Sequence, residues 1–203
     1  MEILIIDMET TEMDNAIIMA SGMGTRMRPL TETTPKPLIK VHGVPMIETV
    51  IEGLKRRNIK NLVVVIGYLG KQFYALKEKY PEIEFVENPY YETINNISSI
   101  YVARKYLRQG STFICEADLC VSDKTIFDKN LKHSCYSGKM VKGYSDDWVF
   151  DQDENGRITR RQVRYRLLQH VWYLVVLRKG FQYTCRLHGS RMGNEGIRKH
   201  VLG

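Results

Sequence analysis

Apolar positions come in short runs whose period changes along the chain. Residues 15–20 (NAIIMA) predict a strand that feeds a glycine-bearing loop, SGMGTR. Pro29, Pro35 and Pro37 follow. Each fixes its own φ and pushes its predecessor to extended backbone, so 28–38 is expected to be non-helical. Over 45–57 the period changes: Met46, Ile47, Val50, Ile51 and Leu54 recur at i, i+1, i+4, i+5 and i+8, one stripe of a helix. Residues 62–66 (LVVVI) are apolar without a break, as a strand covered on both faces must be. A helix over about 70–79, a strand over about 83–86, a helix over 95–108 with Asn95 or Asn96 near its N-cap, and a strand over 111–115 complete the pattern.

Strands alternating with helices imply an α/β fold with a mostly parallel sheet and right-handed crossovers. Ligands in such folds sit beyond the carboxyl ends of the strands, where the SGMGTR loop and Asp118 both fall. After residue 130 the pattern degrades. Residues 139–150 suit a sheet, and Asp153-Glu154-Asn155-Gly156 suits a turn. There is no internal repeat and no low-complexity linker.

At 203 residues, 43% of them apolar, the chain can bury the core of one domain or of two small ones. No run approaches the roughly 20 apolar residues of a membrane span, and the opening MEILIID lacks a cleavage site, so no membrane or secretory role is expected. Cys115, Cys120, Cys135 and Cys185 form no C-x-x-C pair, which fits idle thiols and a cytoplasmic location. His42, His133, His170, His188 and His200 show no ligand-like spacing. The net charge of +7 divides unevenly: residues 161–203 hold nine Lys and Arg against the single acid Glu195, whereas residues 1–160 are nearly neutral. The basicity is thus a property of the tail, and nucleic acid is not the expected partner of the rest.

Candidate chemistry begins at Ser21-Gly22-Met23-Gly24-Thr25-Arg26. Backbone N–H groups in such a loop can converge on phosphate oxygens because glycine permits close approach. Taken alone, the loop is better explained as a plain strand-to-loop turn. A second element changes that balance. In Pro35-Lys36-Pro37 two prolines brace a lysine, so its ammonium is presented in a fixed place, as stabilising charge on a transferred phosphoryl group requires.

Residues 19–31 (MASGMGTRMRPLT), followed by Pro35-Lys36-Pro37-Leu38, resemble the nucleotidyltransferase pattern (L/M)-A-(A/S)-G-x-G-(S/T)-R-(L/M)-x-P-L-T…P-K-P-L. The family more often has alanine at the place of Ser21. The resemblance implies the Rossmann-like fold of nucleotide-diphospho-sugar transferases and the joining of a nucleoside triphosphate to a phosphate monoester, with release of pyrophosphate. It implies that Ala20, Ser21, Gly22, Gly24 and Thr25 bind the nucleotide, and that Arg26 and Lys36 are catalytic, Lys36 bridging nucleotide and acceptor phosphates. Asp118, otherwise a solvated strand end, corresponds to the family's Mg²⁺-binding aspartate, a hard oxygen ligand for a hard cation.

Glu87-Asn88-Pro89-Tyr90-Tyr91 and 95–101 (NNISSIY) narrow the likeness to choline-phosphate cytidylyltransferases and the related aminoethylphosphonate enzymes. The resemblance makes CTP the favoured nucleotide and places Asn96 near base or ribose, although Asn95 and Asn96 could also serve only as helix caps. Tyr144, Asp147 and Trp148 resemble the family's acceptor-binding segment. Aromatic faces attract a quaternary ammonium such as that of phosphocholine, though Tyr90, Tyr91, Tyr101, Tyr144 and Trp148 are equally explained as packing aromatics.

The two ends depart from the family. Residues 1–12 read as an N-terminal extension, 13–160 as the nucleotidyltransferase core, and 161–203 as a basic tail where the resemblance stops. A one-nucleotide shift lets residues 166–173 become DCYNMCGI and residues 191–202 become EWEMRGYESMFW, both similar to the family's downstream segments. The tail is therefore expected to be an out-of-frame translation and not part of the native fold. The C-terminal part would then be incomplete, without the acceptor wall and second metal carboxylate, and activity impaired. A sugar-1-phosphate nucleotidyltransferase, a non-catalytic nucleotide-binding remnant and a nucleic-acid binder acting through the basic tail are the alternatives.

Overall fold

Four apolar strands lie side by side and parallel: β1 (Asn15–Ala20), β2 (Asn61–Ile66), β3 (Ile83–Glu87) and β4 (Thr112–Glu116), in the order β4-β1-β2-β3. The computed structural model describes residues 13–128 continuously. Beyond them it describes 133–141, 148–155, 158–163, 167–169 and 173–176, with the short strands Glu2–Ile3 and Ile6–Asp7.

Both faces of β1, β2 and β4 are covered, as their mainly apolar sequences require, whereas the edge strand β3 (IEFVE) leaves Glu84 and Glu87 exposed. Ala16, Ile18, Val64, Ile66, Phe113 and Cys115 join one core with Ile47, Val50, Ile51 and Leu54 of α1 (Met46–Lys55). Ile17, Val63, Val65 and Ile114 join a second core with Ala103, Tyr106 and Leu107. A buried amide pins the amino ends of the strands: Asn15 Nδ2 donates to the Tyr106 carbonyl at 2.8 Å, and Asn15 Oδ1 accepts from Asn61 Nδ2 at 2.7 Å.

Several elements differ in detail from the pattern reading. The region 28–38 has no α-helix, but Leu30–Glu32 and Lys36–Leu38 each form one 3₁₀ turn. Proline's fixed φ suits the start of such a turn, and its missing N–H is not needed there. The helix expected over 70–79 is 3₁₀ along Gly70–Ala75 and α only along Leu76–Lys79; a three-residue period is what brings Phe73 and Leu76 to the same buried side. The helix expected over 95–108 breaks at buried Ala103 into α2 (Ile97–Val102) and α3 (Arg104–Gln109). Asn96 precedes α2 without a side-chain cap, while Asn95 Oδ1 accepts the Ile97 N–H at 3.3 Å. Of the expected turn, Gly156 lies outside the described residues; within it the Asn155 N–H donates to Asp153 Oδ1 at 2.9 Å.

Past residue 130 come β5 (His133–Val141), β6 (Trp148–Gln152), β7 (Ile158–Val163), β8 (Leu167–Gln169) and β9 (Tyr173–Val176). They extend the sheet to the order β7-β6-β8-β5-β9-β4-β1-β2-β3, and β9 runs antiparallel between β4 and β5. Of the segment 161–203 that was expected to stay outside the fold, residues 161–163 end β7, and β8 and β9 pair with β4, β5 and β6. The exposed edge of β4 needs backbone partners, and a β-prone run such as YLVV supplies them whatever its side chains were selected for. Residues 177–203 lie outside the described residues. The N-terminal extension contributes Glu2–Ile3 and Ile6–Asp7, both paired with β5.

Candidate active site

Strand register sets the site. Ala20 is level with Ile66, Ile66 with Glu87, and Met19 with Glu116, so the segments leaving β1, β2, β3 and β4 emerge at one edge of the sheet. In the segment after β1, Gly22, Thr25 and Arg26 are exposed and free to meet a ligand. Gly24 has φ +62°, which glycine adopts without strain, and it turns the loop into the 3₁₀ segment Thr25–Met27. The Thr31 hydroxyl donates to the Gly24 carbonyl at 2.9 Å. A Cβ at Gly24 would stand 3.0 Å from the Thr31 methyl and 3.1 Å from Lys36 Cβ, so the loop lies directly against the stem of Lys36.

Lys36 stands between the two prolines in a short 3₁₀ turn. Pro35 and Pro37 are buried, and the Leu38 N–H closes a turn on the Pro35 carbonyl at 2.9 Å. Lys36 Nζ reaches Asp118 Oδ2 at 2.5 Å, with both side chains about one-third exposed. Asp118 is aimed by its neighbours: Ala117 is buried and its N–H reaches the Met19 carbonyl at 3.3 Å, and downstream Thr49 Oγ1 of α1 accepts the Val121 N–H at 2.9 Å.

Glu116, half-buried at the end of β4, adds a second carboxyl. Burial pushes it up to about 7, the charge of Asp118 pushes the same way, and the Lys36 ammonium opposes both. Asn96 Nδ2 donates to Glu116 Oε1 at a long 3.4 Å, which brings Asn96 to the same edge. Loop, lysine, aspartate and asparagine are therefore contiguous through Gly24, Lys36, Asp118, Glu116 and Asn96.

Two nucleotide-binding expectations acquire a different physical content. Ala20 is buried, and the Ser21 hydroxyl turns inward, 2.8 Å from Ser99 Oγ and accepting from Asn88 Nδ2 at 3.1 Å. Any contact of these two residues with a nucleotide is thus left to their backbone. Tyr90 and Tyr101 stand with ring centres 6.5 Å apart, and the Arg104 guanidinium lies 4.2 Å over the Tyr101 ring, so one face of Tyr101 already holds a cation. Tyr144 and Asp147 lie outside the described residues. Trp148 begins β6, but its side chain is likewise outside them.

A divalent cation fits the donor set in a limited way. Among the described residues no three His, Cys, Asp or Glu side chains cluster as a metal cage. Asp118, with Glu116 beside it, offers a carboxylate anchor that phosphate oxygens and water would complete, the usual arrangement for Mg²⁺ at a nucleotide. Among the described residues, no helix is long and apolar enough to cross a membrane.

Sequence reasoning did not single out Gly67, and it gave no individual role to Glu116, Asn88 or the serine pair 98–99, although Asn88 and the serines lie in the segments that narrowed the resemblance. Asn88 carried a readable signal, a short polar residue before proline at a strand end, but its burial depends on contacts with segments far away in sequence.

A family model described as a MobA-like NTP transferase domain matches residues 16–175. The match runs past residue 160, where the resemblance was expected to stop. The 2-aminoethylphosphonate cytidylyltransferase of Lancefieldella rimae is 56% identical over 149 residues, 73% of this chain and 61% of that protein. The choline-phosphate cytidylyltransferase of Streptococcus pneumoniae is 38% identical over 133 residues, 66% of this chain and 56% of that protein. The chain thus spans about 60% of the length of these relatives. A solved structure of the S. pneumoniae CTP:phosphocholine cytidylyltransferase superposes with a TM-score of 0.71 at 32% identity, covering 80% of this chain and 70% of that one. With a glycine loop, a braced lysine and an aspartate gathered at one sheet edge, and with that family match over most of its length, the chain belongs to the MobA-like NTP transferase domain family.

Proposed function

We propose that this protein transfers a cytidylyl group from CTP to a small zwitterionic phosphonate or phosphate, with 2-aminoethylphosphonate favoured over phosphocholine. The observation that carries the reading is the meeting of Lys36 and Asp118 against the loop at Gly24. The preference for aminoethylphosphonate rests on the higher identity of that relative.

An acceptor oxygen attacks the α-phosphorus of CTP, a new P–O bond forms, and the bond to the β-phosphate oxygen breaks as pyrophosphate leaves with the electron pair. The acceptor dianion is already nucleophilic, so no general base is needed and the protein's work is positioning and charge stabilisation. Gly22, Gly24, Thr25 and Arg26 cradle the triphosphate, and Lys36 bridges it to the acceptor. Mg²⁺ held by Asp118 would neutralise charge on the phosphates. Asn96 lies on the base and ribose side. Tyr144, Asp147 and Trp148 belong to the acceptor side of this reading, and an out-of-frame origin for the tail remains part of it.

Pyrophosphate release tests the reading, with CTP, UTP and dTTP against 2-aminoethylphosphonate, phosphocholine and a sugar 1-phosphate. It is run on this chain and on a version with the reading frame restored over the tail. CTP with aminoethylphosphonate should give the highest kcat/KM. Turnover only with UTP or dTTP and a sugar phosphate would replace the reading, and nucleotide binding without turnover in either version would reduce it to a binding remnant.

A further inference from the structure

One buried amide joins the two regions that the proposed nucleotide would span. Asn88 follows β3 and is 2% exposed. Its Nδ2 donates to Ser98 Oγ at 2.8 Å and to Ser21 Oγ at 3.1 Å, with Ser99 Oγ at 3.4 Å. Two amide hydrogens cannot serve three oxygens equally, and Ser99 is completed instead by Ser21 at 2.8 Å. On its other side Asn88 Oδ1 accepts the Tyr90 N–H at 3.0 Å, and its own backbone N–H donates to the Ile66 carbonyl at 2.8 Å. The amide is therefore fixed to the sheet and cannot follow either loop.

Ser21 begins the glycine loop. Ser98 reaches back and donates to the Asn95 carbonyl at 2.9 Å, which fixes the turn that carries Asn96. We infer that Asn88 is a positioning residue that holds the phosphate loop and the Asn95–Asn96 turn at a set separation, so that one nucleotide can engage both at once. The inference rests on the proposed nucleotide site and deepens it. Neither loop depends on Asn88 for its own shape: the glycine loop keeps the Thr31 bond to Gly24 and the Tyr68 N–H on the Ser21 carbonyl at 3.1 Å, and Asn95 keeps its own turn to the Ile97 N–H. Losing the amide loosens the distance between the loops and leaves each loop formed. Misplacement of reacting groups by about 1 Å can cost on the order of 100-fold in rate.

The test is calorimetric titration of the full chain and its Asn88→Ala variant with CTP and with pyrophosphate, both in magnesium buffer, beside far-UV circular dichroism. Pyrophosphate needs the phosphate-side groups but not the Asn95–Asn96 turn, whereas CTP needs both loops. The expected result is CTP affinity lower by about tenfold or more, with pyrophosphate affinity within about twofold. CTP binding unchanged in Asn88→Ala, or an equal loss for both ligands, overturns the inference and leaves the proposed function standing. Absence of CTP binding by the unaltered protein overturns both. Where Asn88→Ala does not fold, the double variant Ser21→Ala/Ser99→Ala carries the same test, with the same split in affinities expected.

Discussion

Lys36 and Asp118 are 82 positions apart in the chain and meet through an ammonium–carboxylate contact of 2.5 Å at the carboxyl edge of the sheet. Pairing so close at a partly exposed edge contributes little to stability, because solvent screens it; such pairs are worth about 0–1 kcal/mol. In the proposed reaction the same two groups would face developing charge on the transferred phosphoryl group, where one well-placed donor is worth about 10²–10³ in rate. Lys36→Ala and Asp118→Ala should therefore leave the melting temperature within a few degrees while removing most of whatever turnover the protein shows, in this chain or in the version with the tail's reading frame changed as proposed. Scanning calorimetry beside the pyrophosphate assay checks the split. A large loss of stability with turnover retained would make the pair a structural strut.

Glu116 gives stability a pH dependence of known sign. Its carboxyl is pushed up to about 7 by burial and by Asp118, above its ordinary 4.5, so the folded state favours the protonated form. The stabilisation is complete below about 4.5 and is lost as pH rises through about 7. Glu116→Gln stays neutral throughout. Its melting temperature relative to the parent should rise between pH 5 and pH 7.5, and the lowered carboxyls of Glu82, Glu84, Asp123 and Asp128 cancel in that difference because both proteins have them. A difference flat with pH would show that Glu116 ionises freely in the fold.

How far the sequence could be read follows from what each feature depends on. The stripe of Met46, Ile47, Val50, Ile51 and Leu54 and the run at 62–66 were legible because local period alone decides which face is buried. The break at Ala103 was not, since both halves have helical spacing and Ala103 is buried against sheet residues distant in sequence. Lys36 was legible because two prolines advertise a fixed side chain. Glu116 and Asn88 were not, because burial by distant segments gives them their character, and burial has no local signature. The strand Tyr173–Val176 escaped for a third reason: an unpaired sheet edge accepts backbone, so composition was a poor guide to its place.

Gly53 sits inside α1, where alanine normally stabilises by about 1 kcal/mol through helix propensity. Here the opposite is expected. A Cβ at Gly53 would collide with Cδ2 and Cε2 of Phe127, whose ring is 1% exposed and stands edge-on to Phe113 at 5.8 Å. The ring is buried against Phe113, and overpacking of this kind costs about 1–3 kcal/mol. Gly53→Ala should therefore lower the urea midpoint, whereas Gly53→Ala combined with Phe127→Leu should recover part of the loss. Stabilisation by the single substitution would mean that the ring moves freely.

Gly67, just past β2, lies beneath the start of the glycine loop. A Cβ there would come within 2.8 Å of the Tyr91 ring, 2.9 Å of Ser21 Cβ and 2.9 Å of the Ser21 carbonyl oxygen. Tyr91 is half-buried and its ring can turn aside, but the Ser21 carbonyl cannot, because it is backbone and accepts the Tyr68 N–H at 3.1 Å. Relief must come from moving the loop itself, and that would displace the N–H groups of Gly22 and Gly24 from the places proposed for them around a phosphate. Gly67→Ala should weaken pyrophosphate and CTP binding together by about tenfold, in contrast to the selective loss expected for Asn88→Ala. Stability should fall by about 1 kcal/mol or more because the contact sits at the edge of the core. Titration of both ligands checks this, and unchanged pyrophosphate affinity would mean that the loop tolerates displacement at Ser21 and that its phosphate grip begins further along the chain.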